Sequence, residues 1–242
     1  MSDPLPGGVG VSRLCVYDTV TPDGRPGGTP HLHLCCTEAY VVTGGEGAVQ
    51  TLSGQGFAEH RLVAGTVLWF TPGTVHRLIN LGGLDIVVVM GNSGLPEAGD
   101  AVFTFPPEVL ADPERYARAA TLPNGGAPGT DVGTAFTRRD LAVEGFLRLR
   151  EEVERDGPAA MARLHEAAVA LKRQHLDTWR TRWENGAFRA AQSTGVHLDA
   201  LARGDGGHLM SSRVHALDQP SERGRLGMCG LLDTYLPPTG EK

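Results

Sequence analysis

The strongest constraint on how this chain can fold is the regular interruption of its first 106 residues by glycine and proline. Short runs rich in Val, Leu and aromatic residues occupy Val11–Asp18, Leu32–Val42, Ala48–Leu52, Phe57–Val63, Val67–Phe70, His76–Asn80 and Leu84–Met90. Between them lie turn-forming stretches such as Pro22–Gly28, Thr43–Gly47, Ser53–Gly56 and Thr71–Thr74. A helix cannot persist through such punctuation, whereas many short strands separated by tight turns can pack as a sandwich or barrel. The first 106 residues are therefore predicted to be all-β.

The pattern changes at Phe105-Pro106-Pro107. Glu108–Ala120 and Arg138–Asp156 read as helices, and Asp156-Gly157-Pro158 reads as a helix stop followed by a fresh start. From there Met161, Leu164, Ala168, Leu171, His175, Trp179 and Trp183 recur at helical spacing, which predicts one long amphipathic helix ending near Asn185-Gly186. The expected organisation is a β unit with a metal site over 1–106, a helix and linker over 107–133 and a helical hairpin over 134–204. A tail over 205–242 follows, with candidate strands at His208–Ala216 and Met228–Tyr235 that could extend the barrel or a dimer.

Within the β unit, two segments carry chemistry. In Thr29-Pro-His31-Leu-His33, strand alternation sends both imidazoles to one face and Leu32 to the other. Glu38 lies at an odd offset from His33, so it joins them only if the chain bends near Cys35-Cys36-Thr37. His76 arrives from the separate turn Thr71–Thr74. Three imidazoles and one carboxylate form a mixed nitrogen and oxygen ligand set, suited to one divalent first-row metal (Fe, Mn, Zn, Ni or Co) with positions left open to substrate.

The spacings resemble the two motifs of the cupin family. His31-x-His33, four residues, Glu38, six residues and Gly45 match the first motif. Gly65, Gly73, His76 and Asn80 match the second, with Thr71 where its leading proline usually stands. The resemblance spans residues 26–92 and identifies the chain as similar to a bacterial single-barrel cupin with a helical C-terminal extension. It implies a double-stranded β-helix (jelly-roll) barrel followed by that α-helical extension, a metal held by His31, His33, Glu38 and His76, and a homodimer. It does not imply a reaction, because one fold hosts many chemistries.

Around the expected metal, Tyr40 shares parity with Glu38 and is either a proton or hydrogen-bond donor to substrate or an aromatic of the barrel wall. Cys35 shares parity with His33 and is a pocket candidate or a buried small hydrophobe. Asn80 either lines the cavity or closes a turn, and one of Trp69 and Phe70 faces inward as an apolar wall, with Trp69 the pocket candidate.

Composition narrows the partners. Residues 1–106 hold nine Asp and Glu against four Arg and no Lys, so the β unit offers no basic face for nucleic acid. Near the motifs only Arg61 and Arg77 are basic, which disfavours strongly anionic substrates such as sugar phosphates. No apolar run is long enough for a membrane span, and Met1–Gly8 has no leader-like core, so a cytoplasmic location is expected. Four cysteines without C-x-x-C spacing read as reduced, mostly buried thiols. The expected function is a metal enzyme acting on a small sugar-like, keto or hydroxy acid metabolite by isomerisation or epimerisation. The alternatives are an Fe(II) dioxygenase and a non-catalytic binding cupin.

Overall fold

The computed structural model describes residues 5–235. Its strands are β1 (Gly10–Val16), β2 (His31–His33), β3 (Glu38–Ser53), β4 (Gly56–Val63), β5 (Val67–Phe70), β6 (Val75–Met90), β7 (Ala101–Phe103), β8 (Glu222–Leu226) and β9 (Gly230–Tyr235). The helices are α1 (Pro107–Leu110), α2 (Pro113–Ala120), α3 (Val132–Asp156), α4 (Pro158–Lys172), α5 (Leu176–Trp183) and α6 (Arg189–Ala202). All strands join one antiparallel sheet whose main path runs β4-β3-β6-β1-β9-β8 and remains open at both ends. The short strand β2 pairs with β6 and β7, and β5 pairs with β3.

The spine of the sheet is the long pair β3·β6, which runs from Glu38 opposite Met90 to Leu52 opposite Val75. Its register shifts at three places between Val42 and Gly47, so the pair bends sharply in its middle. Gly45 sits in that bend with φ +69°, and a side chain there would overlap the Gly83 carbonyl. The motif glycine is therefore a requirement of the bend.

Two cores lie on opposite faces of the sheet. Inside the bend, Leu14, Val16, Tyr40, Val42, Val49, Leu62, Phe70, Leu78 and Ile86 are buried together. Outside it, Leu32, Leu52, Val75, Val102 and Phe103 pack against Ala142, Phe146 and Leu149 of α3 and Met161, Leu164 and Ala168 of α4. Burial on both faces explains why every residue of β2 is enclosed: Leu32 meets the helices while the two histidines face the other way. Helix α3 can dock this closely because Gly145 meets the Thr104 carbonyl, where no Cβ fits.

Several elements differ from the sequence expectations, each for a local reason. The Leu32–Val42 strand is cut between His33 and Glu38, where Asp100 Oδ2 accepts the Cys35 and Cys36 N–H groups and holds the chain in a bend. The helix expected over Glu108–Ala120 is two helices, because Asp112 caps α2 through Glu114 N and Arg115 N with Pro113 in its first turn. The helix expected to run unbroken from Pro158 is interrupted by a 3-10 turn at Arg173–His175. After α5 it passes through a π-turn at Glu184–Phe188 and continues to Ala202, so Gly186 perturbs the helix without ending it. Helices α5 and α6 thus follow the α3–α4 hairpin, α5 docking on the 92–98 loop, where Trp179 Nε1 donates to Ala98 O at 3.1 Å. No strand forms over His208–Ala216, where a 3-10 turn at Gly207–Ser211 leads into extended chain. Cys15 and Cys35 are exposed and only Cys36 and Cys229 are buried, so the thiols are free but not mostly enclosed. Among the described residues no helix is long and apolar enough to cross a membrane.

Candidate metal centre

His31, His33, Glu38 and His76 come together with all four candidate ligand atoms within 4.8 Å of one another, every one of the residues buried. His31 and His76 stand directly opposite each other across β2·β6, and the bend at 34–37 turns Glu38 back towards them. His76 Nε2 lies 3.1 Å from His31 Nε2 and 3.0 Å from Glu38 Oε2, and His33 Nε2 is 3.3 Å from the same carboxylate oxygen. Ligands held at about 2.0–2.2 Å from one ion and at right angles stand about 3 Å apart, which these separations match.

The opposite side of each ring decides which nitrogen is free. His31 Nδ1 donates to Thr29 O at 2.8 Å, His33 Nδ1 to Asp100 Oδ1 at 2.7 Å and His76 Nδ1 to Thr74 O at 3.2 Å. With each Nδ1 proton facing an acceptor, the three Nε2 atoms converge on one point, and loss of a second proton from His33 leaves three lone pairs there. Lone pairs 3.1 Å apart on His31 and His76 repel unless a cation lies between them. Glu38 Oε2 is also a buried oxygen without a hydrogen-bond partner. The cluster fits a metal site, and a divalent ion bound by it satisfies both observations at once.

Electrostatics agree with that arrangement. Burial, reinforced by the neighbouring His76 and His33, pushes His31 well below the usual imidazole range and keeps it neutral. His33 behaves oppositely: against the desolvation of burial, the neighbouring Asp100 and Glu38 carboxylates push it up to about 10. Against the same desolvation, His76 and His33 hold Glu38 well below the usual carboxylate range. Entry of a divalent ion would therefore displace a proton from His33.

Residues 18–91, which contain all four ligands, match the family model described as the cupin domain. This part of the chain is a cupin domain. No curated protein matches the sequence. Among solved structures, Pac13 of Streptomyces, described as a nucleoside dehydratase, aligns at 17% identity over 39% of this chain and 66% of its own, with a TM-score of 0.30. A TDP-quinovose 3,4-ketoisomerase of Campylobacter jejuni aligns at 14% identity over 33% of this chain and 60% of its own, with a TM-score of 0.28. An uncharacterized double-stranded β-helix protein of Klebsiella pneumoniae aligns at 26% identity over 36% of this chain and 69% of its own, with a TM-score of 0.26. The chain thus spans just under two thirds of the length of the first of these relatives.

The ligands of the cupin domain border a cavity of about 360 Å³. His31, His33 and Glu38 line one part of it, and Leu14, Val88, Met90 and Leu232 supply apolar wall. Much of the remaining lining comes from outside residues 18–91, including Arg138 of α3 and the β8–β9 hairpin.

The other expected pocket residues lie elsewhere. Cys35 is exposed and lines a separate surface hollow with Asn92, Leu95, Trp179 and Trp183, because the bend that brings Glu38 inward turns Cys35 outward. Trp69 is 67% exposed, and its neighbour Phe70 takes the inward place, stacked on His76 with ring centroids 4.5 Å apart. Asn80 closes a turn: its Oδ1 accepts from Gly82 N and Leu84 N while its Nδ2 donates to Val16 O. Tyr40 shares the inward face with Glu38 but is fully enclosed behind the ligands, off the cavity wall, with no partner for its hydroxyl. Burial, aided by the Glu38 charge, pushes its phenol well above the usual range and keeps it neutral.

Sequence reasoning missed Asp100, which is fully buried and ties His33 to the bend through three hydrogen bonds. Nothing local marks it, since it lies 67 residues after His33 in a turn-rich stretch. The carbonyl anchors had a visible signal: Thr29-x-His31 and Thr74-x-His76 repeat one spacing, and each threonine carbonyl holds the histidine two residues on.

Proposed function

We propose that this chain is a metal-dependent enzyme that isomerises or epimerises a small oxygenated metabolite, a sugar-like compound or a keto or hydroxy acid. The observation that carries the reading is the convergence of three anchored imidazoles and an unpartnered carboxylate oxygen beside a cavity of metabolite size. A divalent transition metal (Fe, Mn, Zn, Ni or Co) held by His31, His33, Glu38 and His76 would supply Lewis-acid polarisation of a substrate oxygen. The apolar wall of Leu14, Val88, Met90 and Leu232 would exclude water from the reacting carbon. Glu97 borders the cavity and has no ion pair among the described residues, so it is assigned the proton transfer. It would take a proton from the carbon beside a carbonyl and return it to the neighbouring atom of the enolate, with a solvent proton delivered to the opposite face where the outcome is epimerisation. Tyr40, neutral and behind the ligands, is assigned to the apolar packing around His76 rather than to touching substrate.

The same reading takes 1–106 as a jelly-roll barrel, 107–133 as helix and linker, 134–204 as a helical extension, 205–242 as a tail that adds strands to the barrel or dimer, and a homodimer as the assembly. The test is anaerobic incubation of the metal-loaded protein in deuterated water with a panel of keto and hydroxy acids and sugars, read by NMR. Solvent deuterium should enter the carbon next to the carbonyl, and Glu97→Gln should slow this by about a hundredfold or more at unchanged metal content. His76→Ala should lose stoichiometric metal by elemental analysis. Oxygen uptake without anaerobic exchange would establish the dioxygenase instead, and binding with neither would establish a non-catalytic cupin.

A further inference from the structure

Arg138 is the feature of the cavity that the metal site does not account for. It projects from α3, is only 9% exposed and lines the same cavity as the ligands. The structure contains three buried arginines among the described residues, and two have carboxylate partners: Arg77 with Asp23 at 2.7 Å and Arg139 with Asp140 at 2.9 Å. Arg138 has none among the described residues. Its Nη1 donates to Ala120 O at 3.2 Å and its Nη2 to Gly227 O at 2.9 Å, while its buried Nε has no partner. A guanidinium carries five N–H donors, so part of the fork remains free.

Among the described residues, the groups that act on Arg138 carry no negative charge. The nearest titratable groups are Tyr17, Tyr116 and Cys229, and burial pushes each of them up to about 12, so all stay neutral. Three carboxylates border the cavity, but Glu38 belongs to the ligand cluster, Glu222 is engaged by Arg225 at 2.9 Å and Glu97 is exposed. A buried cation without a counter-charge is costly unless an anion joins it. Arg138 and three of the four candidate ligands line the same cavity, and its Cζ lies 4.9 Å from the Phe103 ring centroid.

We propose that Arg138 is the anion-binding residue of this cavity, and that the substrate is a small acid with one carboxylate on the Arg138 fork and its oxygenated end at the metal cluster. The inference rests on the metal-enzyme reading above and narrows its substrate class from sugars and acids to acids. A carboxylate matches the one cavity-lining cation without a carboxylate partner among the described residues, since a phosphate dianion would call on a second one and Arg225 is already paired. The anionic preference is invisible in the cupin motifs because its cation comes from the helical extension. Arg77, one of the two basic residues near those motifs, points instead into its own ion pair, and Arg61 is exposed.

The test is calorimetric binding to metal-loaded wild-type protein of malate, its terminal amide and phosphoglycerate, three probes that share a hydroxy acid end and differ at the other. Malate should bind about tenfold more tightly than the amide or better, and more tightly than phosphoglycerate. Arg138→Met should bring malate and amide within twofold of each other at unchanged metal content, and Arg138→Lys should keep part of the preference. If Arg138→Met does not fold, the wild-type ratio of malate to amide decides alone. Equal binding of malate and amide by wild type, tighter binding of phosphoglycerate, no binding of malate, or a preference that survives in Arg138→Met would each overturn the proposal. Failure of wild type to load metal would instead overturn the metal-enzyme reading beneath it, so the two failures are distinguishable.

Discussion

Replacing Asp100 with Asn tests whether the cluster is a metal centre built with outer support or four residues that happen to meet. Asp100 is fully buried, with Oδ1 2.7 Å from His33 Nδ1 and Oδ2 accepting from Cys36 N at 3.0 Å and Cys35 N at 3.3 Å. Asparagine is nearly isosteric but has only one acceptor oxygen. If that oxygen keeps the two backbone N–H groups, the amide NH₂ faces His33 Nδ1 and drives the imidazole proton onto Nε2, the atom that points at the ligand cluster. If it keeps His33, the two N–H groups are left facing an NH₂. The first choice preserves the fold and damages the metal site, and the second leaves buried donors unpaired at about 1–3 kcal/mol each. Loss of an outer partner to a metal-binding histidine typically costs about 10–100-fold in affinity, which is about 1.4–2.8 kcal/mol. We therefore expect Asp100→Asn to weaken metal binding by about that factor, read by competition with a chromophoric chelator, while urea unfolding of the metal-free protein shifts by about 1–3 kcal/mol. Asp100→Ala should cost more in stability, since it removes all three acceptor contacts. Metal affinity within threefold of wild type in Asp100→Asn would refute the argument that His33 is a ligand held through its Nδ1.

Two other perturbations address the frame around the site. Gly145→Ala would force a methyl group into the Thr104 carbonyl and so separate α3 from the sheet; we expect a loss of about 1–3 kcal/mol or more by chemical denaturation, and an unchanged midpoint would mean that the helix is not docked there. Asp23, against the opposing effect of burial, is held well below the usual carboxylate range by hydrogen bonds from Arg77 and Thr21. Its folded pKa is depressed, so its contribution is fully present above the unfolded value near about 3.9 and is lost as pH falls through the folded value. Asp23→Asn should accordingly destabilise the protein at neutral pH, with the gap to wild type narrowing below about pH 4; a gap that is constant with pH would remove the ion pair from the account.

What the sequence disclosed depended on the range over which each feature is determined. The ligands were legible because strand parity and turn position are local: His31, Leu32 and His33 can only alternate, and Leu32 does meet the helices while the histidines meet Glu38 and His76. The bend at Cys35–Thr37 could be required from parity, yet its cause, Asp100, could not be named because it lies more than sixty residues away. Trp69 and Phe70 could be placed on opposite faces, but only the packing of Phe70 on His76 fixes which is inward. Helix breaks followed the same rule. Asp112-Pro113 and Gly157-Pro158 act through their own backbone, whereas the passage of the chain through Gly186 depends on what the helix packs against. The cavity is the least local feature of all, since the cupin domain supplies its candidate metal ligands while α3 and the β8–β9 hairpin supply other parts of its lining. Two proteins with the same motifs and different extensions would thus share a metal centre and differ in the charge presented to the substrate. On the proposed reading, substrate choice is accordingly expected to follow Arg138 and its neighbours at residues 222–234 more closely than the motif residues that would hold the ion.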